Sequence, residues 1–381
     1  MSALRQKIEQ EIRDRGPIPF SRYMELCLYD PELGYYSRST EQFGKAGDFY
    51  TSSDIHAVFG RLMARQFEEM WRTLDSPARI DLIELGPGRG LFAQDVLDWS
   101  RKKFPDFFRA MHYRLVERSA ALRRRIEQTL AQHLESGKAE LATSPAQDAA
   151  DGPAIIFTNE FFDALPVEIF SEQGSLCIDE RDGHFVEIWF PASAQELEFL
   201  DRYSIHPEHG ERLEVSLNAL KTMDQIAASI RRGFFIAIDY GYTRDEQLAR
   251  RHRGTLKVIR QHSVSGSPYE APGEQDITAD VNFTALAAVA QRHGMSAQKL
   301  ITQSQFLLGI GEANQFADAF EECRLPQERA KVALQLKHLI TPAGMGESFH
   351  VLVASKGIAE EKAATLAGLN FGRRSTGGAK P

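Results

Sequence analysis

Apolar residues recur along this chain with two different periods, and the changes of period mark its elements. Leu4, Ile8 and Ile12 share one helical face within residues 3–14, and Gly16-Pro17-Ile18-Pro19 stops that helix. Residues 20–29 predict a second short helix, ended by Asp30-Pro31. The strongest amphipathic pattern runs over residues 55–71, through Val58, Phe59, Leu62, Met63, Phe67 and Met70. From residue 80 the pattern alternates. Short apolar runs at 80–85, 113–117, 139–142 and 154–158 predict strands, and helical stretches fall near 91–103 and 119–135. Such alternation predicts an α/β protein with a parallel sheet covered by helices.

The middle of the chain changes character. Val167-Glu168-Ile169-Phe170 and Phe185-Val186-Glu187-Ile188-Trp189-Phe190 flank the turn residues Arg181-Asp182-Gly183, which predicts a β-hairpin insertion over residues 167–190. A helix over about 211–232 and a strand at 234–239 restore the α/β pattern. Residues 241–280 are polar and show little periodicity, as functional or disordered loops do. A helix at 283–293, a strand at 297–301, a helical stretch at 303–342 and a final strand at 349–354 follow. The resulting division is an N-terminal helical extension with a lid loop (1–76), a core (77–302), a late helical insertion (303–345), a final strand and helix (346–367) and a disordered tail (368–381).

One stretch carries the first chemistry. The run Ile80-Asp81-Leu82-Ile83-Glu84 leads into Leu85-Gly86-Pro87-Gly88-Arg89-Gly90, so strand, glycine loop and helix follow one another. A dinucleotide fingerprint needs G-x-G-x-x-G, and its third glycine position is here Leu91. The spacing is instead E-x-G-x-G-x-G, which resembles the cofactor loop of class I methyltransferases using S-adenosylmethionine. That cofactor has no pyrophosphate to rest on the helix N-terminus, so the loop clears space for adenosyl and amino-acid groups. Glu84 then stands where it can hold an ammonium group, directly or through water. Glu117 ends the next strand, where a carboxylate accepts hydrogen bonds from both ribose hydroxyls, a feature that NAD would share.

Four further motifs occur in order: Gly47-Asp48-Phe49-Tyr50-Thr51-Ser52, Asn159-Glu160-Phe161-Phe162-Asp163-Ala164-Leu165-Pro166, Asp276-Ile277-Thr278-Ala279-Asp280-Val281-Asn282-Phe283 and Met345-Gly346-Glu347-Ser348-Phe349. With the glycine loop they resemble the MidA family over roughly residues 15–356. Tyr50 and Asp280 depart from the residues usual there. The resemblance implies a Rossmann-like class I methyltransferase sheet, S-adenosylmethionine as cofactor bound by Glu84, Gly86, Pro87, Gly88, Gly90 and Glu117, and a protein substrate with a target arginine. Mitochondrial members of the family are complex I assembly factors that methylate a protein arginine.

An arginine acceptor must be held in plane and must lose a proton, and paired carboxylates do both. Glu160 and Asp163 follow the fourth parallel strand at the sheet's carboxyl edge and are the catalytic candidates, with Asn159 at the boundary between cofactor and acceptor. The alternative for this pair is a turn cap and a surface ion pair. Asp48, Thr51 and Ser52 either fold over the cofactor as a lid or belong to a tight structural loop. Asp276 and Asp280 either line the acceptor side or, for Asp280, cap the next helix.

Composition changes the picture little. The chain is 43% hydrophobic and 26% charged, with a net charge of −8, which argues against a phosphate-backbone binder of nucleic acid. Cys27, Cys177 and Cys323 form no zinc or redox spacing, and an odd count fits a reducing compartment. His206-Pro207-Glu208-His209 lacks metal-ligand spacing, so no metal is expected, and Arg250-Arg251-His252-Arg253 reads as a solvated charge run. No apolar run is long enough to span a bilayer, and the acids among residues 1–15 are unlike a transit peptide, so a cytoplasmic protein with no membrane contact is expected. Two rivals remain: an assembly factor that keeps the cofactor site and mainly holds its client, and an NAD-dependent dehydrogenase, disfavoured by Leu91.

Overall fold

Strand Ile80–Leu85, which leads into the glycine loop, is buried at every residue because it has a parallel neighbour on each side: Met111–Val116 and Ala154–Asn159. The computed structural model describes residues 2–37, 57–142, 152–260, 263–264, 266–312 and 314–371. The sheet continues outward through Ala139–Ala142 beyond Met111–Val116, and through Gly233–Tyr242 beyond Ala154–Asn159, all parallel. Phe349–Lys356 then pairs antiparallel with Gly233–Tyr242 over eight residues. Two short strands, Ser296–Ala297 and Ile301–Thr302, pair antiparallel with that last strand and so point the same way as the rest.

The strand order reverses beside the glycine strand. After Ile80–Leu85 the chain builds outward to Met111–Val116 and Ala139–Ala142, then returns to lay Ala154–Asn159 on the opposite side. The carboxyl ends of Ile80–Leu85 and Ala154–Asn159 therefore form the topological switch point, where open α/β sheets bind ligands. Alternation along the strands divides the core. Ile80, Leu82, Ile155 and Phe157 face helices Ala57–Thr73 and Leu91–Lys103, while Ile83, Leu85 and Ile156 face helices Leu217–Ser229 and Phe283–Arg292.

The expectation of an α/β sheet holds, and so does the turn at Asp182-Gly183, whose φ values of 51° and 77° suit a tight hairpin. Its first strand is Gly174–Arg181, however, rather than the 167–170 run. The 167–170 run instead supplies Glu168–Ser171, which pairs with Gly174–Arg181 and with Leu213–Val215. Ile18–Pro19 completes this second, antiparallel sheet by pairing with Gly174–Arg181. Helices Ala3–Arg15 and Phe20–Tyr29 bury Leu4, Ile8, Tyr23 and Met24 against Ile169, Leu176 and Ile178 of that sheet. The N-terminal helices and the hairpin thus share one core. Residues 241–280 are also more ordered than expected: helix Arg244–Leu248 and the strands Lys257–Arg260, Ser263–Val264 and Asp276–Thr278 fall within them. The late stretch divides into helices Gln303–Glu312, Ala317–Phe320 and Pro326–Ile340.

Phe157 is fully buried two residues before Asn159 on the same strand. Its ring stacks on Phe92 at 4.7 Å and meets Phe67 edge-on at 5.5 Å. Phe157→Ala is expected to cost about 3–5 kcal/mol of stability, read as a lower urea midpoint. An unchanged midpoint would contradict this packing.

Candidate active site

The glycine loop leaves the sheet through three left-handed residues, Gly86, Gly88 and Gly90, at φ 68°, 55° and 77°. A Cβ on Gly86 would lie 2.9 Å from the Phe161 ring, whereas one on Gly88 would meet nothing within 4 Å. Gly86 is therefore closed by protein and Gly88 is open to a cavity of about 1020 Å³ at the switch point. Gly86, Pro87, Gly88 and Arg89 line the cavity. Gly90 does not line the cavity. It is the N-cap that precedes helix Leu91–Lys103, with Ile126 and Leu130 each 3.5 Å from where its Cβ would be.

Glu84 and Glu117 both line this cavity. Tyr113 Oη donates to Glu84 Oε2 at 2.7 Å. Burial pushes the Glu84 carboxyl up to about 8, against the pull of that hydrogen bond, and the nearby Glu117 charge adds to the rise. Burial likewise pushes Glu117 up to about 7, although the backbone N–H of Ser119 donates to its Oε1 at 2.8 Å. Two carboxyls are thus held out of water, each able to gain from a donor or a cation.

Across the switch point, residues 159–166 form the other wall, with Asn159, Glu160, Phe161 and Asp163 facing the cavity. Glu160 sits at φ 50°, a conformation uncommon for a side-chain-bearing residue that must be held by its surroundings. The holder is Asp239, at the end of the neighbouring strand and 1% exposed. Its Oδ2 accepts the N–H groups of Phe161, Phe162 and Asp163 at 3.1, 2.9 and 3.4 Å, and its Oδ1 that of Tyr240 at 2.9 Å. Burial and the adjacent Asp163 and Glu160 charges push the Asp239 carboxyl upward, against these backbone donors.

Asn159 Nδ2 donates to Glu160 Oε1 at 3.0 Å. Asn159 Oδ1 and Asp163 Oδ1 are buried and, among the described residues, have no hydrogen-bond partner. Asp163 is pushed up to about 7, chiefly by burial. Tyr29 and Tyr36 close this end: Tyr29 Oη donates to the Ala164 carbonyl at 2.8 Å, and Tyr36 Oη to Asp276 Oδ1 at 3.0 Å.

The other sequence candidates divide. Asp276 lines the cavity. Asp280 does not, and it does not cap the next helix, since the cap of Phe283–Arg292 is Asn282, which accepts from Ala285 N. Asp280 instead pairs with His252 at 3.0 Å and Lys257 at 2.8 Å. Asp48, Thr51 and Ser52, with the expected lid, lie outside the described residues. Asp239, Tyr113, Tyr29 and Tyr36 were not singled out from the sequence. Asp239 had a visible signal, an acid closing an apolar strand run just as Glu84 does.

Against known proteins, residues 62–301 match a family model described as "Putative S-adenosyl-L-methionine-dependent methyltransferase". The chain belongs to the MidA family. It is 30% identical to "Protein arginine methyltransferase NDUFAF7 homolog, mitochondrial" of Drosophila melanogaster, over 93% of this chain and 85% of that one. It is 28% identical to the Homo sapiens "Protein arginine methyltransferase NDUFAF7, mitochondrial", over 89% and 80%. A Burkholderia thailandensis crystal structure bound to S-adenosyl-homocysteine superposes with a TM-score of 0.81 at 29% identity, covering 96% of this chain and 94% of that one. The fold is that of a class I methyltransferase, and the protein is an S-adenosylmethionine-dependent methyltransferase.

The cavity fits the cofactor of this MidA member: an open face at Gly88 and two buried carboxyls suited to an ammonium and to hydroxyl donors. The expected cytoplasmic location is corrected by the same relatives, which are named mitochondrial. A cysteine count separates oxidising from reducing surroundings and does not distinguish one reducing compartment from another.

The raised carboxyls give binding a pH dependence of definite sign. Glu84 and Glu117 start at about 8 and 7, and a bound cation or hydroxyl pair favours their ionised forms. Binding of S-adenosyl-homocysteine therefore releases protons near pH 7, and its Kd should tighten by about tenfold or more between pH 6 and 7.5. Calorimetry in buffers of different ionisation enthalpy measures this. Glu84→Gln should flatten most of the dependence, and a pH-independent wild-type Kd would contradict it.

Proposed function

We propose that this methyltransferase acts on an arginine side chain of a protein. The observation that carries the reading is the pair of acids, Glu160 and Asp163, that line the same cavity as the glycine loop. Two neighbouring carboxyl groups suit a planar cation rich in N–H donors. A guanidinium offers five N–H donors in one plane and no acceptor. The fly and human relatives, named protein arginine methyltransferases, support the same acceptor.

In this reading Glu84 holds the cofactor's ammonium, Glu117 its ribose hydroxyls, and Gly86, Pro87 and Gly88 the loop floor. Gly90 keeps the loop joined to its helix. When bound, S-adenosylmethionine supplies an electrophilic methyl group. Glu160 and Asp163 orient the guanidinium, and the Asp163 carboxylate accepts the departing Nη proton. A carboxyl raised to about 7 is better matched to that transfer than one at its ordinary value. Asn159 separates the two ligands and fixes Glu160 through its amide. Positioning and the exclusion of water carry most of the rate.

Glu160→Gln and Asp163→Asn, assayed with an arginine-containing peptide, should each lower kcat on the order of a hundredfold or more. Calorimetry should show S-adenosyl-homocysteine binding kept within about threefold, since neither residue touches the glycine loop in this reading. Near-normal turnover in both variants sinks the assignment.

A further inference from the structure

The cavity is larger than the span between Glu84 and Asp163, and its outer walls come from two helices. Ser21, Arg22 and Glu25 of Phe20–Tyr29 line one side, and Asn218, Lys221, Thr222 and Gln225 of Leu217–Ser229 line the other. The second set falls at positions i, i+3, i+4 and i+7, a single helical stripe on the cavity wall. Both helices are tied to the 159–166 wall within two residues of each other: Tyr29 Oη donates to the Ala164 carbonyl, and Asn218 Nδ2 to the Pro166 carbonyl at 2.9 Å. The two walls therefore meet at the loop that carries Glu160 and Asp163.

The charges on these walls are unequal. Arg22 pairs with Glu11 and Glu25, and Lys7 pairs with Asp30. Lys221 is exposed and, among the described residues, has no ion pair. The stripe from 218 to 225 is about 10 Å long, the length of roughly three extended residues. Its amide and hydroxyl side chains suit main-chain N–H and C=O groups, while one uncompensated cation favours an acid nearby.

We propose that the client chain crosses this mouth in extended conformation between the two helices, and that Lys221 selects an acidic residue flanking the methylated arginine. The inference rests on the arginine reading above and adds the substrate's main-chain path and its flanking charge. A folded protein surface presenting arginine on a helix, or a free amino acid, would not use the stripe in this way.

The test measures kcat/KM for short peptides with a central arginine and Asp, Ala or Lys as flanking residues, together with free arginine. Wild type should prefer the Asp-flanked peptide over the Lys-flanked one by about two- to fivefold, the range of an exposed ion pair, and Lys221→Glu should reverse the order. Thr222→Trp, which narrows the cavity from a half-buried position on the helix, should raise the peptide KM by about tenfold with kcat and the S-adenosyl-homocysteine Kd unchanged. Arginine peptides methylated with no change of flank preference in Lys221→Glu and no change of KM in Thr222→Trp would overturn the docking path alone. The same holds if free arginine is used as well as the peptides. No transfer to any arginine, with transfer to another acceptor, would overturn the arginine reading and the path with it.

Discussion

Buried carboxyl groups gathered at one edge of a parallel sheet are the constraint to which the rest of this molecule answers. Glu84, Glu117, Asp163 and Asp239 all lie where strands of the central sheet end, and burial raises the proton affinity of each. Unpartnered charge in that position is costly, so each group takes a proton, a donor from the fold or a donor from a ligand. Asp239 takes four backbone N–H groups and in doing so fixes the 159–166 wall. Glu84 takes one hydroxyl from Tyr113 and keeps capacity to spare. Asp163 Oδ1 has none among the described residues. The three groups thus differ in how many donors the fold supplies.

Much of this was legible in the sequence because it rests on local pattern. The alternation from residue 80 gives the sheet, the E-x-G-x-G-x-G spacing gives the loop, and the acids at 84, 117, 160 and 163 follow from strand ends. The structure brings those four to one cavity. Gly90 differs from Gly88 in lying off the cavity wall. In three dimensions its role is the left-handed turn into the helix, with Ile126 and Leu130 behind it.

What stayed hidden depends on contacts between distant segments. The hairpin partner was missed because Gly174–Arg181 is a strand made partly of polar residues, whereas the more apolar 167–170 run pairs elsewhere. Ile18–Pro19 reads as a helix stop, and only the Gly174–Arg181 edge makes it a strand. Residues 241–280 lack periodicity because they form short strands packed on the N-terminal core through Val258 and Ile277. Asp280 resembled a helix cap by position, but His252 and Lys257 reach it first, and Asn282 caps the helix instead.

The central claim is that a cofactor half built around Glu84 and Glu117 faces an acceptor half built around Glu160 and Asp163, with arginine as the methyl acceptor. Its most direct measurement is transfer of an isotopically labelled methyl group from S-adenosylmethionine into proteins of a cell lysate, followed by mass spectrometry of the labelled residues. The account predicts label on an arginine guanidinium nitrogen. Label on lysine, on nucleic acid or on a small molecule would contradict it.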